Sequence, residues 1–152
     1  MHGHSLESTK WVIQSHIAAM FLPTFFTPFL TKMLGVRKLI SFGLILFCIA
    51  SIVGFYDSSA IGFWIHLILL GLGWNFLFFS ATTILPQTYA PEHKFKAQTI
   101  NDTVVLSFQA FAALSAGLAL NYFGWKSMIV LCVIPISVMI VVLFWERGLK
   151  KS

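Results

Sequence analysis

Charge is what this sequence has least of. Of its 152 residues, ten are Lys or Arg and five are Asp or Glu, together 10%, while 58% are hydrophobic. A soluble domain carries about 25% charged residues. A chain this poor in charge cannot cover a water-facing surface, which excludes an ordinary soluble enzyme or binding domain. Cysteine is also scarce. Cys48 and Cys132 both lie within apolar runs, outside any C-x-x-C spacing, so neither a disulfide framework nor a zinc site is expected. The net charge of +5 does not point to nucleic acid, because the basic residues form no aromatic-interleaved patch. No H-E-x-x-H, G-x-S-x-G or P-loop pattern is present, so a hydrolase or NTPase has no support and no catalytic residue is assigned. No cofactor is implied. "HGH" at residues 2–4 supplies only two potential metal ligands on a terminal segment, too few for a metal site.

What is present is a series of long apolar runs. Crossing a hydrocarbon core takes about 20 residues of helix, and five stretches qualify: roughly 11–31, 37–56, 61–85, 100–122 and 126–146. Each is too long for a membrane-spanning strand, and none alternates as a barrel strand does. The fold class is therefore all-α, a polytopic bundle of five transmembrane helices embedded in the lipid bilayer, with residues 1–10 and 147–152 outside it. The first run lacks an A-x-A cleavage site and a basic leader, so it reads as a retained helix and not a signal peptide.

Lys and Arg placement sets the direction. Lys32, Arg37, Lys38, Lys94, Lys96, Arg147, Lys150 and Lys151 gather at one set of helix ends, against Lys10 and Lys126 at the other. This bias puts the N-terminus outside and the C-terminus in the cytoplasm.

The five runs differ in polarity. The second and fifth hold nothing stronger than serine in their cores. The first holds Gln14 and His16, the third His66, Trp74 and Asn75, and the fourth Asn101, Asp102 and Gln109. Polar groups inside a membrane face the bundle interior or a water-filled cavity, so helices one, three and four are expected to line something while two and five lean on lipid. At about 100° per residue, Gly71, Asn75 and Thr82 share one face of the third helix and His66 points the opposite way. Asn75 and Trp74 offer a substrate contact, with an interhelical hydrogen bond as the competing reading. Asp102 offers proton coupling, with a helix-capping role beside Asn101 as its competitor. His16 and His66 can titrate near neutral pH, or sit neutral and hydrogen-bonded near the outer boundary. Pro23 and Pro28 in the first run predict a kink or interruption. Ala112/Ala116 and Ala113/Gly117 have the small-xxx-small spacing that admits close helix approach.

Three stretches resemble the C-terminal part of a major facilitator superfamily transporter. "HGHSLESTKWVIQSHIAAMFLPTFFTPFLTKMLGVRK" is similar to the family's eighth helix with its approach and following loop. "GLGWNFLFFSATTIL" is similar to the tenth helix, and "PQTYAPEHKFKAQTIND" to the cytoplasmic loop before the eleventh. The resemblance implies that helices eight to twelve of a bacterial inner-membrane permease are present, without helix seven and the N-terminal half. It implies secondary transport of an unknown small-molecule substrate, with Gln14, Trp74, Asn75 and Gln109 as cavity residues. It also implies Asp102 and His16 as coupling or loop contacts, and the missing N-terminal half as partner. Of the family's cytoplasmic loop motif, Gly35, Arg37 and Lys38 match; Pro28 stands at the first glycine, and Lys32 and Met33 replace its acid and arginine. A five-helix piece alone is expected not to transport. The alternative is a membrane protein that only docks on a partner, or an inert remnant of a permease gene.

Overall fold

The computed structural model describes residues 6–57 and 59–149. The "HGH" segment and the final Lys150 and Lys151 lie outside the described residues. Among those described, every regular element is helical.

The first apolar run does not form one straight helix. Helix α1 (Leu6–Phe21) ends in a 3-10 turn over Leu22–Phe25, and α2 (Thr27–Leu34) resumes beyond Phe26. The two limbs are bent by 56°. Pro23 and Pro28 explain the break, since neither has an N–H to donate to the carbonyl four residues earlier and each ring crowds the preceding turn. Gly35 then turns the chain in one residue with φ +82, a conformation that other residues enter only under strain.

Helix α3 (Val36–Tyr56) and helix α4 (Ala60–Ile84) form an antiparallel hairpin. Its tip is tied by Ser59. The Ser59 hydroxyl accepts from the Gly62 amide at 3.0 Å, and the Ser59 amide donates to Asp57 Oδ1 at 2.8 Å. This N-cap satisfies a donor that the helix start leaves free. The hairpin is closely packed because Gly43 faces Gly73. A Cβ on Gly73 would lie 3.0 Å from the Gly43 carbonyl oxygen and 2.5 Å from Phe47. Leu39, Leu44 and Ala50 of α3 are buried. The helix expected to lean on lipid thus supplies most of the buried apolar side chains, because two glycines let α4 come so near.

The fourth and fifth runs, expected as separate helices over 100–122 and 126–146, form the two helical arms of α5 (Lys94–Leu149). The arms are interrupted only by Gly124, with φ 73 and ψ 168. The loop between the two runs shrinks to one residue because glycine alone takes that backbone at little cost. The first arm also begins six residues earlier than its apolar run, which places Asp102 inside the helix and not at its cap.

The second arm of α5, after Gly124, packs on α3. Ile129 and Ile136 are buried there, and the Trp125 indole N–H donates to the Gly54 carbonyl at 2.8 Å. The first arm, 94–123, has no buried residue. Among the described residues, three helices are able by length and composition to cross a membrane, four if the bent α1–α2 pair is one span.

Candidate functional site

Among the described residues, two of the four buried polar side chains, Thr27 and Asn75, meet where α4 faces the break between α1 and α2. Asn75 is only 3% exposed and Thr27 is fully buried. The Asn75 carboxamide donates from Nδ2 to the Met20 carbonyl at 2.7 Å and to Thr24 Oγ1 at 2.7 Å. Met20 O can only accept, so the amide orientation is fixed by chemistry. On the other side Asn75 Oδ1 accepts from Thr27 Oγ1 at 2.8 Å. That hydroxyl also lies 2.7 Å from the Pro23 carbonyl, so one hydrogen serves two acceptors. Asn75 therefore takes up backbone and side-chain groups of a chain that has stopped being helical.

The same face of α4 meets α1 along its length. Trp64 donates its indole N–H to the Ser15 hydroxyl, and His16 Nδ1 donates to the Leu67 carbonyl at 2.6 Å. Gly71 allows the approach: a Cβ there would lie 2.8 Å from the His16 carbonyl oxygen. Positions 64, 67, 71 and 75 recur at helical spacing and form one seam. Trp74 stands beside it, stacked on Phe78 with ring centroids 4.6 Å apart and edge-on to Phe21 at 6.1 Å.

On the opposite face of α4, His66 is buried, 7% exposed, and donates from Nδ1 to the Ala50 carbonyl of α3 at 2.7 Å. The ring of Trp125 meets it edge-on at 5.5 Å. Both histidines expected near the outer boundary are thus hydrogen-bonded to the backbone of a neighbouring helix.

The structure brings His16, Trp74 and Asn75 together on the α1–α4 seam. Gln14 lies exposed on α1. Gln109 lies exposed on the first arm of α5, remote from that seam. Asp102 is exposed on the same arm and accepts from Gln98 Nε2 at 2.9 Å and Asn101 Nδ2 at 3.1 Å. Gly35 makes the turn between α2 and α3, with Arg37 and Lys38 in the first turn of α3. Thr24, Thr27 and the Met20 carbonyl were not foreseen as Asn75's partners. Their signal was the pair of prolines, which frees carbonyls and so calls for donors nearby. Among the described residues, no group of three His, Cys, Asp or Glu side chains is placed to hold a metal ion.

Long apolar helices, seams closed by glycine and isolated hydrogen bonds, and a broken span define a multi-pass membrane protein of the α-helical class. The chain belongs to the Major Facilitator Superfamily, whose family profile matches residues 2–152. It is 37% identical over 127 residues to the riboflavin transporter RfnT of Brucella anthropi, covering 84% of this chain and 32% of that protein. It is 37% identical over 157 residues to the uncharacterized MFS-type transporter YdeG of Bacillus subtilis, covering 97% of this chain and 35% of the relative. A second Bacillus subtilis protein, the uncharacterized MFS-type transporter YddS, is 33% identical over 117 residues, covering 75% of this chain and 27% of that protein. The chain spans about a third of the length of the curated relatives it matches. No solved structure matches it.

Proposed function

We propose that this chain forms helices eight to twelve in the carboxy-terminal half of a secondary transporter that moves a small solute across the bacterial inner membrane. Five spans cross the bilayer, with the N-terminus outside and the C-terminus in the cytoplasm, and α5 crosses twice by folding back at Gly124. The observation that carries the reading is the first arm of α5. It is long and apolar and carries Asp102 and Gln109, yet nothing from 94 to 123 is buried. A helix of that kind needs the rest of a permease beside it, which agrees with a chain that spans a third of its relatives.

The residues then take different parts. Gln14 and Gln109 are exposed and free to turn toward a solute. Trp74 stacked on Phe78 offers a flat apolar wall for a planar one. Asn75 reaches a solute only by giving up its bonds at the helix break. Asp102, with His16 second, carries coupling or loop contacts. Riboflavin, the substrate in the name of one relative, has a flat ring system and is the first solute to try.

The test is uptake of labelled riboflavin into proteoliposomes. Vesicles holding this chain alone are expected to accumulate none, and vesicles holding it assembled with an N-terminal half are expected to accumulate solute. Gln109→Leu in the assembled protein is expected to lower uptake while leaving membrane insertion intact. Accumulation by the chain alone overturns the reading.

A further inference from the structure

The course of the helices decides which charges gather. Along the α1–α4 seam His16 meets Leu67 and Thr24 meets Asn75, so α1 and α4 run in the same direction, and α3 runs against α4. The end of α2, the start of α3 and the end of α4 therefore share one end of the bundle. From there the 3-10 turns Leu85–Gln87 and Pro91–His93 lead into α5. Ser41 and Phe144 line one cavity, so α5 also finishes at this end. Lys32, Lys38, Lys94 and Lys96 are all exposed here, with Arg37 half-buried beside Lys38. Glu92 stands against them, and Glu146 is followed at once by Arg147. Asp102 lies about two turns inside α5, already accepting from Gln98 and Asn101. At the opposite end Lys10 and Lys126 are matched by Glu7 and Asp57, and the Lys126 ammonium sits over the Phe55 ring, 5.3 Å from its centre. The basic end also leaves large apolar side chains bare. Phe95, between Lys94 and Lys96, is 83% exposed, and Phe29 and Met33 are exposed on α2 with Lys32.

We propose that this end of the protein binds anionic phospholipid, with Lys32, Lys38, Lys94 and Lys96 as contacts to the phosphates and Phe95 and Phe29 as anchors in the acyl region. Charge complementarity selects the occupant. An excess of exposed lysine at a bilayer surface attracts anionic headgroups over zwitterionic ones, because a zwitterionic head brings its own cation beside the phosphate. The exposed rings make the second half of the match. A lysine keeps its ammonium at the headgroups while its stem and its apolar neighbours lie in hydrocarbon, and aromatic rings gather at the same level. An acidic protein segment answers the lysines but leaves Phe95 in water. Helix orientation requires the charge alone and no ring beside it, so the pairing goes beyond the topological bias. The inference holds for the chain in any bilayer and does not rest on the transport reading above.

The test places the full chain in phosphatidylcholine bilayers with a trace of spin-labelled phosphatidylglycerol or spin-labelled phosphatidylcholine. The fraction of label immobilised at the protein is read by electron paramagnetic resonance. Phosphatidylglycerol is expected to be preferred by about threefold at low salt, since each lysine is worth up to about fivefold and the favoured positions are only part of the lipid ring. The preference is expected to fall toward none at about 0.5 M salt. The combined variant Lys32→Gln, Lys38→Gln, Lys94→Gln and Lys96→Gln is expected to erase it, while Lys10→Gln with Lys126→Gln is expected to leave it. Equal immobilisation of the two lipids by the wild type overturns the proposal, as does a preference that high salt leaves intact. An equal loss from the two sets of variants overturns it too, since the effect then belongs to net charge and not to this end. The wild-type comparison and its salt series decide the matter even if a variant does not fold.

Discussion

Replacing Asn75 by leucine tests the bond network at the helix break most directly. Leucine has nearly the same shape, so the change removes polarity with little change in packing. Two bonds vanish without substitute, those from Nδ2 to the Met20 carbonyl and to Thr24 Oγ1. The third is rerouted, because the Thr27 hydroxyl still has the Pro23 carbonyl at 2.7 Å. Interhelical hydrogen bonds in membranes are worth about 0.6 kcal/mol on average and about 1.7 at most. The expected loss for two of them is therefore about 1–3 kcal/mol. Thr24→Val should cost about half as much, and the double variant less than the sum of the singles, since both remove one bond. Reversible unfolding of the chain in bicelles measures all three. The bend should relax as well, read as a longer distance between spin labels on α1 and α2. If Asn75→Leu is as stable as the wild type or more so, Asn75 is not engaged at the break, and the solute-facing reading of that residue gains.

Further outcomes follow from single contacts. Ser80 is fully buried and its hydroxyl has no hydrogen-bond partner, so Ser80→Ala should be neutral or raise stability by about 1 kcal/mol; a loss of that size in the same unfolding assay refutes it. Gly73→Ala places a methyl 2.5 Å from Phe47 and should cost about 1–3 kcal/mol by overpacking. Gly117 has open space around it, so Gly117→Ala should leave this chain unharmed, while in a complete permease it should disturb whatever covers the first arm of α5; thermal melting of both preparations checks the contrast. The Asp57 carboxyl is held below the usual carboxylate range by its hydrogen bonds from the Ser59 side chain and backbone. A depressed pKa in the folded state means the turn is secured above the ordinary carboxylate pKa and loosens as pH falls through the lowered value. Amide exchange at Ser59 should therefore show faster opening only under strongly acidic conditions.

Much of this arrangement is legible in the sequence, and the reasons it is legible differ by element. The hairpin helices α3 and α4 fall within one residue of the apolar runs 37–56 and 61–85, because apolar length and the "YDSSA" turn leave few alternatives. The break in the first run follows from two prolines acting on the backbone. Helical phase correctly separates Gly71 and Asn75 from His66, and the structure sends the first pair toward α1 and the last toward α3. Phase does not say what lies opposite. The partners of Asn75 are carbonyl and hydroxyl groups exposed by a bend whose angle no composition encodes. Gly124 was hidden for a related reason: "NYFGWK" reads as a polar gap, and only the backbone shows that one left-handed glycine does the work of a loop. What covers 94–123 is not legible at all, since no residue of that arm is buried against the rest of the chain.

The glycine contact between α3 and α4 bears on how the protein is made. Everything needed to close that hairpin has been synthesised once α4 is complete, and its partners are near in sequence, so loop closure costs little. The clasp from Trp125 to Gly54 spans 71 residues and must wait until the whole first arm of α5 has been made. The hairpin is thus equipped to enter the membrane as a paired unit, and the later helix is stitched to a platform that is already standing.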